Sequence, residues 1–193
     1  MRTRQHPSWS AKTVFAVGHS TRSLKEFIAL LWAHGVATVV DIRKMPRSRT
    51  NPQFNSEALE RTLPKVGIRY LHLAKLGGLR KKSTATSSVN AAWRNASFRA
   101  YADYMQSAEF EDGLSELHDE LSNGPPALMC AEALRWRCHR SLVADALVAR
   151  GAEVLHLKSA TRATPHRLTA FAHVSRGRVT YPADDSPPRK VRR

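Results

Sequence analysis

The stretch ALMCAEALRWRCHRSLVADAL contains both cysteines of this 193-residue chain, Cys130 and Cys138. Glu132 lies between them, and His139 and Arg140 directly follow the second thiol. A thiol beside arginines at the start of a helix has a lowered pKa and becomes a nucleophile. The first interpretation is therefore a catalytic set of Cys138, Glu132, His139 and Cys130. In it Glu132 and His139 act as acid, base or orienting groups.

The same residues leave other interpretations open. Cys130, Glu132, Cys138 and His139 could supply four tetrahedral metal ligands, but their spacing fits none of the common zinc patterns, and we predict neither metal nor other cofactor. The thiols could instead be buried small residues that pin a strand to the next helix. A phosphatase loop would need an arginine six positions after Cys130, where Trp136 stands.

The elements that position these residues follow from short β-type runs that alternate with helical ones. Strands are predicted at 13–18, 37–42, 68–73, 127–130 and 153–157, and helices at 56–66, 91–105, 108–121 and 138–150. Ser23 and Glu26 form a capping box that starts an earlier helix, and a hairpin surrounds 175–177. Such alternation predicts an α/β fold with a mostly parallel sheet of about five strands plus the C-terminal hairpin. We expect a flexible basic N-terminus (1–12), one domain (13–182) and a disordered basic tail (183–193).

Ligands of such sheets bind outside the carboxyl ends of the strands, and polar residues follow the predicted strands there. The predicted substrate-binding residues are His19, Ser20, Asp41, Arg43, Gly77, Gly78 and Arg140. Basic clusters at the same edge favour an anion site: Arg43, Lys44, Arg47 and Arg49; Arg80, Lys81 and Lys82; Arg135, Arg137 and Arg140. Alternatively, Arg43 pairs with Asp41 or Glu132, and the glycines only permit a tight turn.

Composition limits the class of protein. Hydrophobic residues make up 42% and charged residues 24%, which is typical of a globular protein. The longest apolar run, 27–33, is far shorter than the ~20 residues of a membrane span, and no signal-peptide core follows the N-terminus. We therefore predict a cytoplasmic protein with reduced cysteines. The net charge of +15 attracts polyanions or phosphorylated ligands.

Several motifs in fixed order resemble one bacterial family. They are VGHS, DIRKMPRSRTNPQF, LGGLR, FRAYADYM, LMCAEALRWRCHRSLVADAL and TPHRLTAFAHVSRGRVTYP, spread from about Thr13 to Pro182. Together they resemble the family catalogued as domain of unknown function 488. The resemblance implies a Rossmann-like, three-layer α/β domain and no established reaction. Divergent members look similar at the Asp-x-Arg motif yet lack the cysteine pair, which implies that the anion-binding edge is the common feature.

Two functional hypotheses follow. The first is an enzyme acting on a phosphorylated or nucleotide-like substrate, with Arg43 and Arg140 holding the anion. The alternative is a non-catalytic nucleic-acid-binding module that uses a basic face, with binding that weakens steeply with salt. The expected partner is thus a phosphorylated small molecule or a nucleic acid and not a membrane, and the oligomeric state is left open.

Overall fold

The computed structural model describes residues 8–80, 88–134 and 138–183. Its strands are β1 (Thr13–Gly18), β2 (Thr38–Asp41), β3 (Arg69–His72), β4 (Pro126–Cys130), β5 (Glu153–Ser159), β6 (Arg162–Pro165), β7 (His173–Ser175) and β8 (Arg178–Thr180). Its α-helices are α1 (Leu24–Ala33), α2 (Ser56–Thr62), α3 (Ala96–Tyr104), α4 (Ala108–Asp119) and α5 (Arg140–Ala149). Short 3₁₀ turns occupy Pro52–Phe54, Pro64–Val66, Ala74–Leu76 and Glu120–Asn123.

The main sheet has six strands in the order β3-β2-β4-β1-β5-β6. The first five are parallel and β6 runs antiparallel to β5, while β7 and β8 form a separate antiparallel hairpin. The predicted α/β class, mostly parallel sheet and C-terminal hairpin are thereby confirmed.

The connections after β1 and β4 leave in opposite directions. From β1 the chain passes through α1 to β2, and from β4 it passes through α5 to β5 on the other side. The neighbouring strands β1 and β4 therefore form the topological switch point. In open α/β sheets this is where a crevice forms outside the carboxyl ends and where ligands bind.

Two apolar layers cover the sheet because its strand residues alternate between faces. Phe27, Leu31, Leu59 and Leu63 of α1 and α2 pack with Met129 on one face. Helices α3, α4 and α5 cover the other face, which includes Leu128 and Cys130 of β4. The side chain of Cys130 consequently lies on the α3–α5 face. None of the described helices has the length and apolar character that a membrane crossing requires.

Local sequence signals fix several boundaries. Ser23 and Glu26 form the predicted capping box at the start of α1. The predicted helix 91–105 begins only at Ala96, because the side chain of Asn95 accepts hydrogen bonds from the backbone N–H groups of Ser97 and Phe98. The helix predicted from residue 138 begins at Arg140, so Cys138 lies just before it.

The segment after β6 is tied to α5 by Asp145, which is fully buried. One carboxylate oxygen accepts from the backbone of Thr169 at 3.0 Å and contacts His166 Nε2 at 2.8 Å. The other accepts from the hydroxyls of Thr169 at 2.7 Å and Tyr181 at 2.8 Å. His166 also contacts His156 of β5 at 2.9 Å, so His156 belongs to this network.

Candidate functional site

Three adjacent strand ends bring the predicted site residues together. Gly18 is paired with Cys130 across β1 and β4, and Asp41 with Met129 across β2 and β4. The pairing continues past the strands, where the backbone N–H of His19 donates to Cys130 O at 2.9 Å. His19, which follows β1, and Ile42, which follows β2, therefore flank the end of β4, where Cys130 lies.

A pocket of about 490 Å³ opens at this point. Seven of the eleven predicted site residues line it: His19, Arg43, Gly78, Cys130, Glu132, Cys138 and His139. The other four do not line the pocket; they are Ser20, Asp41, Gly77 and Arg140. Three of them contact residues that do: the Ser20 carbonyl contacts His19, Asp41 contacts Arg43, and Arg140 contacts Cys130. The edge predicted from the sequence is thus a concave site of the size that small ligands occupy.

The two thiols are in direct contact at the floor of the pocket. Cys138 Sγ lies 2.9 Å from Cys130 Sγ, and both cysteines are free and buried. The guanidinium of Arg140 donates from Nη1 to Cys130 Sγ at 3.1 Å. The backbone N–H of Arg140 donates to Cys138 Sγ at 3.4 Å. Arg140 is itself buried, so its charge acts on the sulfur with little screening by water.

These contacts separate the two thiols chemically. The hydrogen bond from Cys138 and then the positive charge of Arg140 lower the pKa of Cys130, against its burial. The pKa of Cys138 is raised well above its usual range because it donates to Cys130 and is buried. Cys130 is therefore the more acidic thiol of the pair, whereas the sequence interpretation named Cys138 first because of its position at a helix start.

His139 is held neutral in the pocket wall. Its Nε2 donates to the carbonyl oxygen of Ile42 at 2.9 Å, which leaves Nδ1 as an acceptor 3.7 Å from Cys138 Sγ. Burial lowers the pKa of His139 to about 4. The ring also lies against Gly78, where an added Cβ would approach Nδ1 to 2.8 Å. Gly78 thus permits close packing of the imidazole.

Arg43 forms the ion pair that the sequence left as an alternative. Its Nε donates to Asp41 at 2.9 Å and its Nη2 to the carbonyl of Phe54 at 2.7 Å. Tyr70 donates to the same carboxylate at 2.8 Å. Asp41 is fully buried and orients Arg43, whose remaining nitrogen, Nη1, approaches His19 Nε2 at 3.4 Å.

His19 lines the pocket next to Arg43. Its Nδ1 donates to the carbonyl of Ser20 at 2.8 Å, and its ring stacks on Phe54 with centroids 4.2 Å apart. Burial lowers the pKa of His19. Because the imidazole is neutral and donates from Nδ1, its Nε2 is an acceptor facing Arg43.

Glu132 is exposed and lines the pocket. Its backbone carbonyl oxygen contacts both members of the thiol site: it accepts from Arg140 Nη2 at 3.4 Å and lies 3.7 Å from Cys130 Sγ. The carboxylate is left at the pocket wall, where it can reach a bound molecule.

The basic clusters contribute unequally. Arg80 is directed away from the pocket: its guanidinium lies 3.5 Å from the centroid of the Tyr104 ring and donates to the carbonyls of Ala74, Lys75 and Gly77. Lys44 and Arg47 are exposed and line the pocket. Arg49 is exposed and does not line the pocket. The remaining predicted members Lys81, Lys82, Arg135 and Arg137 lie outside the described residues, as does Trp136.

Sequence reasoning missed most of the apolar part of the wall. Met45, Leu79, Phe98 and Tyr101 line the pocket, and Met45 and Leu79 are 71% and 82% exposed. Leu79 has a positive φ of 57°, which is strained for a side chain of this size. No sequence pattern indicates these positions together, because Met45 and Leu79 come from two separate loops and Phe98 and Tyr101 come from helix α3.

The metal interpretation finds no ligand cluster. In the ranges that the structure describes, no group of three or more histidine, cysteine, aspartate or glutamate side chains could hold a metal ion. The nitrogen of His139 that is directed away from the thiols is hydrogen-bonded to Ile42 O.

Comparison with known proteins identifies one family. The model of the family described as "Domain of unknown function DUF488" matches residues 23–147, more than half of the chain. The match contains most of the motifs quoted above, including the whole cysteine stretch, but not VGHS or the segment from Thr164 to Pro182. No curated protein and no solved structure matches the chain. The chain therefore belongs to the DUF488 family.

Proposed function

We propose that the chain is an enzyme that removes the phosphoryl group of a phosphorylated or nucleotide-like substrate, with Cys130 as its nucleophile. The observation that carries this proposal is the guanidinium of Arg140, 3.1 Å from Cys130 Sγ at the pocket floor. The arginine expected six positions after the cysteine is missing, and Arg140, ten positions after, supplies the positive charge beside the sulfur. Positive charge stabilises the thiolate both as nucleophile and as leaving group.

The pocket provides separate surfaces for the two parts of such a substrate. Lys44 supplies exposed positive charge at the wall, and Arg47, which is paired with Glu57, supplies a second exposed guanidinium there. Such charge attracts a phosphate. Phe98 and Tyr101 supply aromatic surface in the same wall, which suits stacking on a base. An anion joined to a flat apolar group would contact both surfaces at once.

The reaction proceeds in two balanced steps. First the sulfur of Cys130 bonds to phosphorus while the ester phosphorus–oxygen bond breaks, and Glu132 gives its carboxyl proton to the departing oxygen. A water molecule then attacks the phosphocysteine, its proton passes to Glu132, and the sulfur leaves as the thiolate. Glu132 fits both transfers because its side chain is exposed in the pocket wall beside the thiol.

A volume of about 490 Å³ favours a small substrate over the alternative nucleic-acid module. Small-molecule sites are concave and of roughly 300–1,000 Å³, whereas a nucleic-acid module binds through an extended basic surface. The alternative predicts binding of an oligonucleotide that weakens steeply with salt and survives Cys130→Ser.

The test measures phosphate released by the full chain from p-nitrophenyl phosphate and from nucleoside mono-, di- and triphosphates. We expect turnover of at least one of them, abolished by Cys130→Ser and by Glu132→Gln with the circular dichroism spectrum unchanged. Glu153→Gln is the matched control, because Glu153 is exposed and does not line the pocket. Turnover that survives Cys130→Ser contradicts the role given to this thiol.

A further inference from the structure

The sulfur atoms of Cys130 and Cys138 are separated by little more than the length of a disulfide bond. Their separation is 2.9 Å, and a disulfide bond is about 2.05 Å long. Bond formation therefore needs the sulfurs to approach by less than about 1 Å. Cys130 ends a central strand and Cys138 lies just before α5, so packing of these two elements maintains the contact.

We propose that Cys130 and Cys138 form a reversible disulfide when a hydroperoxide enters the pocket, with Cys130 oxidised first and Cys138 as the resolving thiol. This inference goes beyond the proposed function, since it needs no phosphorylated substrate. It rests on the contact between the sulfurs, on the guanidinium beside only one of them, and on the position of both in the wall of an open pocket.

The asymmetry of the site decides the order of the two sulfurs. Arg140 Nη1 approaches Cys130 Sγ at 3.1 Å, and the thiol of Cys138 donates toward the same sulfur. Cys130 therefore carries the negative charge, and peroxides oxidise thiolates and not thiols. Cys138 keeps its proton and stands in contact, as a resolving cysteine must.

The chemistry balances with a hydroperoxide as the oxidant. The thiolate of Cys130 attacks one peroxide oxygen, the oxygen–oxygen bond breaks, and the departing oxygen takes a proton from solvent water, which leaves a sulfenic acid on Cys130. The sulfur of Cys138 then attacks the sulfenic sulfur. The disulfide forms as the hydroxyl group leaves with the Cys138 proton as water. Reduction needs two electrons from an external dithiol, which is itself converted to a disulfide.

The buried cation makes the oxidised state easy to reduce. Disulfide formation removes the thiolate that faces Arg140, which is only 2% exposed. Among the described residues, the remaining acceptor near the guanidinium is the carbonyl of Glu132 at 3.4 Å. A buried charge without a counter-ion is unfavourable, so the disulfide is less stable than a structural one and returns readily to thiols.

The test treats the reduced full chain with hydrogen peroxide, alkylates the remaining thiols with iodoacetamide and measures the intact mass. We expect the native chain to lose both alkylation sites together and to recover them with dithiothreitol. In Cys138→Ser, dimedone should label a sulfenic acid at Cys130. In Cys130→Ser, oxidation of Cys138 should be roughly tenfold slower or more, because the thiolate is missing.

Two outcomes would overturn the proposal. One is a native chain that keeps both thiols under peroxide while the urea-unfolded chain loses them. The other is dimedone labelling of Cys138 in Cys130→Ser at the rate seen for Cys130 in Cys138→Ser. Because the readout is mass, a chain that turns over no phosphoester yet forms the disulfide separates this inference from the proposed function.

Discussion

Gly18 and the backbone of Glu132 are in such close approach that a Cβ on Gly18 would lie 1.9 Å from the Glu132 carbonyl oxygen. That carbonyl is the one that accepts from Arg140. The end of β1 and the chain after Cys130 can therefore meet only because residue 18 has no side chain. The missing side chain at Gly18 is part of what shapes the thiol site.

For Gly18→Ala we expect a loss of about 1–3 kcal/mol of unfolding free energy, since the obstructing atom is backbone and cannot rotate away. Alkylation of Cys130 should change as well. Gly113→Ala is the comparison, because the three nearest neighbours of its added carbon are side-chain atoms of Lys75 and Leu76 at 2.9 Å or more, against 1.9 Å to a backbone oxygen at Gly18. Urea unfolding of both variants measures the difference, and equal losses would contradict the prediction.

The buried pair of Asp41 and Arg43 should be critical for stability. Asp41→Asn leaves the Arg43 guanidinium, whose side chain is 8% exposed, without its counter-ion, and such a loss costs about 3–5 kcal/mol. Glu57→Gln breaks the exposed Arg47 pair, where the Glu57 side chain is 52% exposed, and should cost less than about 1 kcal/mol. Similar unfolding free energies for the two variants would argue against a buried ion pair.

The thiols should lose their protons one at a time. The pKa of Cys130 is lowered and that of Cys138 is raised, so one thiolate per chain should appear below the usual thiol range and the second only well above it. Ultraviolet absorbance of the thiolate against pH measures this. Cys130→Ser should remove the early step. Simultaneous loss of both protons near the ordinary pKa would disprove the coupling.

His139 should make the chain sensitive to mild acid. Its pKa is lowered from 6.5 to about 4 by burial, so the unfolded chain binds the proton first as the pH falls. The stability contributed by the neutral ring is therefore present above about pH 6.5 and is lost as the pH falls toward 4. Between these pH values the unfolding free energy of His139→Gln should fall by a few kcal/mol less than that of the native chain. Urea unfolding across this range gives the comparison, and parallel curves would refute it.

Asp145 should anchor the C-terminal segment. The carboxylate of Asp145 makes four contacts, with His166, Thr169 and Tyr181. Asp145→Asn replaces one of its oxygens by a nitrogen that carries two N–H donors and accepts no hydrogen bond. We expect faster amide hydrogen exchange in residues 166–181, with the parallel strands unchanged. Tyr181→Phe removes only one contact and should cost about 1 kcal/mol. Uniform acceleration over the whole chain would contradict a local anchor.

Strands with strong apolar patterns could be predicted from the sequence, and weak ones could not. TVFAVG gave the bounds of β1, Thr13–Gly18, because five of its six residues are buried. The edge strand β6, Arg162–Pro165, was missed because RATP contains neither apolar alternation nor β-branched residues apart from one threonine. Its position depends on pairing with β5, which is a tertiary contact.

The edge at which these residues meet and the pairing of Arg43 with Asp41, which was one of the alternatives, could be predicted, but the partners of Arg140 and Arg80 could not. Parallel strands must bring His19, Arg43 and Cys130 to one edge of the sheet. The pairing of Arg140 with Cys130, and of Arg80 with the Tyr104 ring, depends on how helices pack on that sheet. Sequence spacing contains no information about such distances, and this is why it could not show that the guanidinium of Arg140 lies beside Cys130.

The position of the switch point has a consequence for how the pocket of this chain can change. The two thiols come from the end of β4 and the residues just before α5, whereas Met45, Leu79 and Phe98 at the wall come from other connections. Substitutions, insertions and deletions in those connections can therefore reshape the wall of the pocket while the contact between the two sulfurs is retained. The fold lets the lining of the pocket vary independently of its thiol pair.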